Sequence, residues 1–176
     1  MDSATVLSLC KKYGSLITLP ASSILDGVAL MCAFAENESS FGANTVPRHE
    51  PAYDVGGRYA NNPMQASLLK QYGRAAACSY GAWQTLPCNA LGVAPSVLDG
   101  NTDAQALAFV RDFNQRVLPR AQTLGEMGQV YNAGHVAVPP AKPLPGVIRY
   151  CADLQKNYTA WFAKLKQEKD DASANG

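Results

Sequence analysis

Apolar residues recur along this chain with the three-to-four spacing of helices that bury one face, and turn-forming residues separate these stretches. The stretch that ends in Glu38 shows the pattern well. Ser22 or Ser23 can cap a helix there, and its buried stripe would consist of Ile24, Val28, Met31 and Ala35. Glu38 occupies the next position on that stripe, where the predicted helix meets a polar loop.

The same spacing predicts five further helices, each bounded by residues that favour helix ends. They run from Ser3 to Tyr13 before Gly14, from Asn62-Pro63 to Tyr72 before Gly73, from Asp103 to Val117 between a Thr102 cap and Pro119, through Met127, Val130 and Tyr131 to Gly134, and from Val147 to Leu165. The last helix is the longest and is expected to pack across the others. The sequence therefore predicts a mainly α fold.

The segments between these helices are rich in turn residues. The span from Gly42 to Asn61 has no sustained period and predicts a long ordered loop with a small β-hairpin. Gly81 to Leu91 predicts a turn and a short helix, and Asp99-Gly100 closes another short segment. Pro139 to Pro145 predicts a rigid connector. Residues 1–169 are predicted to form a single domain, and the small polar residues 170–176 a disordered tail.

Glu36 and Glu38 are almost adjacent in sequence, yet the helical period predicts different surroundings for them. Glu36 falls well round the helix and is expected to face solvent. Glu38 lies near the helix C-terminus, where the macrodipole and partial burial beside Phe34 or Phe41 both disfavour the carboxylate. A raised pKa is what a general acid needs, although a carboxyl that merely ends a helix shows the same pattern.

Composition narrows the classes of function. The 176 residues are 47% hydrophobic, enough for one sizeable core, and the net charge of +1 with scattered basic residues argues against nucleic acid as a partner. No apolar run is long enough to span a membrane, and Met1-Asp2-Ser3 does not open a signal peptide, so synthesis in a cytoplasm is expected. His49 and His135 lack metal-ligand spacing, and we expect no metal or cofactor.

The five cysteines include no CxxC pair, which argues against a zinc site and against a full disulfide framework. Cys32 and Cys151 lie in apolar helical patterns that are typical of core residues. Cys78 and Cys88 flank one short segment and could pair in an oxidising compartment. The sequence leaves that pairing open.

Three separated segments resemble one family, the lytic transglycosylases and goose-type lysozymes that cleave the glycan of bacterial cell walls. They are Glu38-Ser39-Ser40-Phe41, similar to the family's acidic residue, serine and aromatic; Ser79 to Pro87, which contains a Gly-x-x-Gln segment followed by proline; and Tyr131-Asn132-Ala133-Gly134, which matches its Tyr-Asn-Ala-Gly. Each segment alone is weak evidence. Their occurrence together in the family's order is more specific, and the three segments with the helices between them cover most of the chain from about Ser22 to Tyr158.

The resemblance implies a lysozyme-like α fold, a monomer that acts on peptidoglycan glycan strands, and Glu38 as the acid/base beside the scissile bond. Ser79 and Gln84 would lie on the sugar cleft, with Tyr131 and Asn132 across it. Amide and phenol groups suit a neutral sugar polymer, because they can orient it by hydrogen bonds. The plainer interpretations are a buried Tyr131 bonded to a backbone carbonyl and Asn132 at a helix C-cap.

The chain also departs from the family's pattern. Trp83 stands before Gln84 where the family commonly has Met, and Leu86 stands where another Met is frequent. Trp83 or Tyr80 could stack on a sugar face, unless Trp83 is a core residue. The segment that begins Arg48-His49-Glu50-Pro51 is reminiscent of phage cell-wall-lysing enzymes, which suggests a phage-released or virion-associated protein that acts on the bacterial cell wall.

Two chemistries remain open for the cleavage. A hydrolase needs a second carboxylate to activate water or to attack the sugar, and Glu50 and Asp54 in the long loop are the candidates. A lytic transglycosylase needs neither, because a hydroxyl of the muramic acid attacks and leaves a 1,6-anhydro sugar. We expect the transglycosylase reaction. A chitinase, a metal-dependent amidase, and a non-catalytic glycan-binding or virion structural module are the competing functions.

Overall fold

The computed structural model of the chain describes residues 1–139 and 141–174. Its α-helices in this part of the chain are α1 (Ser3–Tyr13), α2 (Gly27–Ser39), α3 (Pro63–Tyr72), α4 (Pro95–Gly100), α5 (Thr102–Asp112), α6 (Leu124–Ala133) and α7 (Pro145–Ala174). Two short strands, β1 (Arg48–His49) and β2 (Cys78–Ser79), form an antiparallel pair. The prediction of a mainly α fold is confirmed.

Helix α2 lies at the centre of the molecule, with every residue from Ala29 to Ala35 buried. It packs against α1, and more extensively against α7. The approach to α1 is close, because a Cβ atom added at Gly27 would lie 2.2 Å from the carbonyl oxygen of Gly14. Because α2 is buried and packed on both sides, the position of the residues at its C-terminus is fixed.

The start of α2 differs from the prediction. Ser22 and Ser23 do not cap the helix; the cap is Asp26, whose side chain accepts a hydrogen bond of 2.9 Å from the backbone N–H of Ala29. Ile24 precedes the helix and is 91% exposed, so it does not belong to the buried stripe. The periodic spacing of Ile24 was misleading, because an aspartate nearer the apolar run makes the better N-cap.

Aromatic rings fill the core beneath the C-terminal half of α2. The ring of Phe34 lies 5.6 Å from that of Phe109, 5.2 Å from that of Phe113 and 4.9 Å from that of Tyr131, measured between centroids. These residues come from α2, from α5 and the turn that follows it, and from α6. Burying such rings contributes strongly to stability, and their tilted contacts fix how the three segments face one another.

The helix predicted from Asp103 to Val117 is divided into an α-helical part and a π-helical turn. Its cap is Asn101 rather than Thr102, since the Asn101 side chain accepts a hydrogen bond from Ala104 N–H at 2.9 Å. The α-helical part ends at Asp112, a π-helical turn covers Phe113–Val117, and a 3₁₀ turn covers Leu118–Arg120. Such π turns occur frequently at functional sites.

The long loop contains β1 and a 3₁₀ turn, Pro51–Tyr53. The small β-element predicted there is confirmed, although its partner β2 comes from beyond α3, with Arg48 opposite Ser79. The short helix predicted within Gly81 to Leu91 is wrong: the segment forms successive turns closed by a bridge between Tyr80 and Thr85. The helical spacing of apolar residues is weak in this segment, and the chain forms tight turns there instead of a helix.

Helices α3 and α6 follow their predicted boundaries closely. Asn62 caps α3 with Pro63 at its first position, and Gly73 follows its end. Helix α6 begins with a capping box of Thr123 and Glu126, and Gly134 ends it in the left-handed conformation with φ of 83°. The C-cap predicted for the Asn132 segment is therefore Gly134 itself.

Helix α7 is longer than predicted at both ends. Pro145 is its first residue rather than part of the connector, of which Pro140 lies outside the described residues. The helix continues through residues 170–174, part of the tail that the sequence predicts to be disordered, and the rest of that tail lies outside the described residues. Buried residues anchor α7 as far as Leu165, and the helix continues beyond this anchor.

No helix in the described ranges is long and apolar enough to cross a membrane. The five cysteines all lie in these ranges and all are free thiols. Cys32 is buried as predicted, Cys151 is only partly buried, and the pairing of Cys78 with Cys88 that the sequence left open does not occur here.

Replacing Asp26 with Ala should lower the free energy of unfolding by about 1 kcal/mol, because α2 loses its N-cap. Asp26→Asn keeps an accepting oxygen and should cost much less. Ser22→Ala is the matched control, since Ser22 is exposed and lies outside the helix. Urea denaturation of the three variants measures the effect; an equal loss for Ser22→Ala would contradict the assignment of the cap.

Candidate active site

A cleft of about 420 Å³ opens beside the C-terminus of α2. Its lining comes from five parts of the chain: the end of α2, the loop around β1, the turns after β2, the end of α5 with the π and 3₁₀ turns, and the end of α6. Among the predicted site residues, the cleft is lined by Glu38, Glu50, Gln84, Tyr131 and Asn132. Chain segments far apart in sequence therefore place these side chains around one space.

Glu38 is a buried carboxyl of the cleft, with 7% of its side chain exposed. The hydroxyl of Tyr150, on α7, donates a hydrogen bond of 2.7 Å to Glu38 Oε1. On the other side, Arg48 Nη2 lies 3.7 Å from Glu38 Oε2. Burial raises the pKa of Glu38; the Tyr150 hydrogen bond and the Arg48 charge oppose the rise, and the charge of Glu50 adds to it.

The neighbouring residues on α2 do not share this environment. Glu36 is half-buried, more than predicted, and lies away from the cleft lining. Asn37 holds the end of the helix against α7: its Nδ2 donates to the Tyr150 carbonyl oxygen at 3.0 Å, and its Oδ1 accepts from Asn157 at 2.7 Å. Two successive residues of α2 thus have different contacts: Asn37 binds α7, and Glu38 lines the cleft.

The backbone just after Glu38 is strained. Ser40 and Phe41 both have positive φ, 51° and 55°, in a region that non-glycine residues seldom occupy. The turn is held by the hydrogen bond from Gly42 N–H to Ser39 Oγ at 2.9 Å, and by the stacking of Phe41 on Trp161 at 4.4 Å. Strain of this kind persists only where the surroundings over-determine it, and it is common at functional sites.

Arg48 links two carboxyl groups across the cleft. Its Nε lies 2.7 Å from Glu50 Oε1, and its Nη2 faces Glu38. Ser79, paired with Arg48 in the β-element, has its Oγ 2.9 Å from Glu50 Oε1 and 2.9 Å from Gln84 Oε1. A hydroxyl carries one proton, so Ser79 can donate to only one of these oxygens at a time. The buried Ser79 therefore positions the residues that line the cleft.

Gln84 has a second strained backbone, with φ of 47°. Its Nε2 donates a hydrogen bond of 2.9 Å to the carbonyl oxygen of Gly81, which closes the turn on itself. Tyr131 supports the same turn, because its hydroxyl donates to the carbonyl oxygen of Trp83 at 2.6 Å. This is the backbone bond expected in the plainer interpretation of Tyr131. Asn132 is exposed at the edge of the cleft.

The aromatic residues proposed to stack on sugar are not available to do so. Trp83 is fully buried and its Nε1 donates to the Met31 carbonyl oxygen at 3.0 Å, while Tyr80 is 5% exposed and bonds to Ala75. Two other tyrosines line the cleft instead. Tyr53 and Tyr59 lie in the long loop with ring centroids 4.9 Å apart. Loop sequence without a period offers no signal that would identify them.

The two candidates for a second carboxylate have different positions. Glu50 lines the cleft and is held by Arg48 and Ser79. Asp54 Oδ2 lies 2.7 Å from His49 Nε2, and His49 Nδ1 lies 3.1 Å from Arg74, so this aspartate belongs to a neighbouring cluster. His135 also lines the cleft. Within the described residues, no group of three His, Cys, Asp or Glu side chains could hold a metal ion.

Sequence reasoning missed a buried ion pair in the lining of the cleft. Arg116 Nε and Nη2 contact the two carboxylate oxygens of Asp112 at 2.6 and 2.7 Å, and its Nη1 donates to the Val130 carbonyl oxygen at 2.7 Å. The i, i+4 spacing of Asp112 and Arg116 could have indicated the pair. Tyr150 was missed as well, and its spacing on α7 indicates only a buried position.

Comparisons of the chain with protein-family models, with curated proteins and with solved structures found no match. A proposal for its function therefore rests on the residues of the cleft and on the motif segments of the sequence.

The raised pKa of Glu38 predicts how stability depends on pH. Because the folded state holds this proton more tightly than the unfolded chain, whose pKa is near 4.5, stability is full below that value and falls as pH rises through the folded pKa. The slope from one group is at most about 1.4 kcal/mol per pH unit. Glu38→Gln should remove this pH-dependent part of the free energy of unfolding. Tyr150→Phe should move the loss of stability to higher pH, because the Tyr150 hydrogen bond lowers the pKa of Glu38.

Urea denaturation of the wild type and both variants at a series of pH values measures this. Burial also raises the pKa of Asp112, which adds a component of the same sign to every variant. The difference between wild type and Glu38→Gln is therefore the informative quantity. Identical pH profiles for these two proteins would show that Glu38 has an ordinary pKa.

Proposed function

We propose that this protein is a peptidoglycan-cleaving enzyme with a lysozyme-like fold, which breaks the β-1,4 bond between N-acetylmuramic acid and N-acetylglucosamine. The observation that carries the proposal is a buried Glu38 carboxyl that opens onto a polar cleft, with its pKa raised by desolvation. The three motif segments that resemble lytic transglycosylases add to it. Action on this polymer places the protein at the bacterial cell wall.

Glu38 serves as the general acid. Burial raises its pKa and so favours the protonated carboxyl, whose proton passes to the glycosidic oxygen as the bond to the muramic acid C1 breaks. The resulting carboxylate is stabilised by the Tyr150 hydroxyl and by Arg48. Glu38 then accepts a proton from the incoming nucleophile, which restores the starting state. Tyr150 and Arg48 thus stabilise Glu38 in the state in which it has given up its proton.

The rest of the cleft suits a neutral, hydroxyl-rich polymer. Gln84 and Asn132 bring amide groups to the lining, and Tyr53 and Tyr59 bring aromatic rings. Amides can bond to the hydroxyl and acetamido groups of amino sugars, and aromatic faces pack against the apolar faces of sugar rings. Strained turns at Gln84 and after Glu38 hold two of these groups in fixed orientations.

The nucleophile we propose is the C6 hydroxyl of the muramic acid, which attacks C1 and leaves a 1,6-anhydro sugar. Glu50 is engaged by Arg48 and Ser79 rather than held free for water. Hydrolysis is the second candidate, because Glu50 faces Glu38 across one guanidinium group. Paired carboxyls of inverting glycosidases stand roughly 6.5–9.5 Å apart with a water between them.

Glu38→Gln should reduce the release of soluble glycan from purified cell walls by about 10²–10⁴-fold, since it removes the general acid. Glu36→Gln is the matched control: it makes the same change two residues away on the same helix and should keep most activity. Circular dichroism melts of both variants exclude unfolding as the cause. Similar losses of activity in the two variants would contradict the assignment of Glu38 as the general acid. Full activity in Glu38→Gln would show that another group is the acid.

Glu50→Gln should retain activity within about tenfold of wild type if the sugar's own hydroxyl is the nucleophile, because general base catalysis by a second carboxyl would be worth about 10²–10⁴-fold. Asp54→Asn is its control, since Asp54 lies in the neighbouring cluster. Mass spectrometry of products formed in ¹⁸O-labelled water gives the independent measure. Anhydro products without label are expected; labelled reducing ends, with collapse of Glu50→Gln activity, would establish hydrolysis.

A further inference from the structure

A buried ion pair in the lining of the cleft has no part in the proposed cleavage chemistry. It consists of Asp112, the last residue of α5, and Arg116 in the π-helical turn that follows. Only 1% of the Asp112 side chain and 20% of the Arg116 side chain are exposed. Burying two charges is costly, and replacing such a pair by apolar residues is often neutral for stability. Stability alone is therefore a weak reason for this chain to carry the pair.

The guanidinium of Arg116 contacts two segments of the chain at once. Its Nε and Nη2 lie 2.6 and 2.7 Å from the two carboxylate oxygens of Asp112, a bidentate geometry that fixes the plane of the group. Its Nη1 donates to the Val130 carbonyl oxygen at 2.7 Å, and the same oxygen accepts from the N–H of Gly134 at 2.9 Å. Arg116 thus binds the last turn of α6, where the helix dipole favours a cation.

The same guanidinium lies over the ring of Tyr131, with its carbon 5.5 Å from the ring centroid. Phe34 of α2 also contacts this ring. The Tyr131 hydroxyl donates to the carbonyl oxygen of Trp83, the residue directly before Gln84 in the strained turn. The contacts therefore run without a gap from the ion pair, through the Tyr131 ring, to the turn that carries Gln84.

We propose that Arg116 is a positioning residue for the cleavage reaction. Oriented by Asp112, it fixes the Tyr131 ring and the end of α6. Gln84 and Asn132 then keep the orientation in which they hold the sugar chain for reaction. The inference rests on the proposed function. A planar guanidinium is required, because three of its N–H groups bond to two different acceptor residues in fixed directions.

The first test removes the pair without leaving a buried charge. Asp112→Leu/Arg116→Met replaces both residues by apolar side chains, and its melting temperature should stay close to that of the wild type. Its kcat on a soluble glycan oligomer should nevertheless fall about 10²-fold, the cost of misplacing reacting groups by about 1 Å, with a smaller change in KM. Wild-type kcat in this folded double variant would show that the pair is merely structural and would overturn the inference.

The second test keeps the charge and changes the shape of the group. Arg116→Lys should lower kcat about tenfold, because an ammonium group cannot bind Asp112 in a bidentate manner and reach the Val130 carbonyl oxygen as well. Arg111→Lys, the same change at an exposed position on α5, is the matched control and should keep the wild-type kcat. Wild-type kcat in Arg116→Lys would overturn the requirement for a guanidinium.

An NMR measurement separates this inference from the proposed function, because it needs no catalysis. In ¹⁵N-labelled protein with ¹³C-labelled tyrosine, Arg116→Lys should shift the signals of the Tyr131 ring and of the Gln84 amide. Arg111→Lys should leave both signals in place. If the wild type cleaves no glycan, the proposed function fails, and these spectra alone decide whether Arg116 positions the cleft. They also decide it if the double variant does not fold. Unchanged Tyr131 and Gln84 signals in Arg116→Lys would contradict the inference.

Discussion

The site depends on excluding water from one carboxyl group. Glu38 sits at the end of a helix whose interior residues are buried, and the structure closes over it with Tyr150, which lies 112 residues later in the chain. Desolvation raises the pKa of the carboxyl, and two polar contacts limit the rise. Glu38 therefore keeps two polar partners for its carboxylate form although it has lost most of its contact with water.

Arg48 adds a second constraint, because a single guanidinium faces both Glu38 and Glu50. It reaches this position only because β1 pairs with β2 and so fixes the loop against the turns that carry Gln84. The strand pair is short, yet it connects the acidic side of the cleft with its amide side. Two pairs of facing residues in this strand pair thus hold the irregular loop in place beside the cleft.

The helices and the candidate acid could be predicted from sequence because both follow from local rules. Period and caps located α1, α3 and α6 closely, and the same period placed Glu38 on the buried side of α2. Where two local signals competed, prediction failed: Ile24 fits the apolar spacing, but the Asp26 cap sets the start of the helix. The contacts of Tyr150, Arg48 and Arg116 could not be predicted, since each depends on how distant segments pack in three dimensions.

The packing of α7 onto α2 also determines when, during synthesis of the chain, the contacts of Glu38 can form. A ribosome makes Glu38 early and Tyr150 late, and Asn157, which holds the end of α2 through Asn37, later still. Until α7 has emerged and packed, Glu38 lacks the hydrogen bond from Tyr150. The surroundings of Glu38 are therefore complete only after Tyr150, 112 residues further along the chain, has been made.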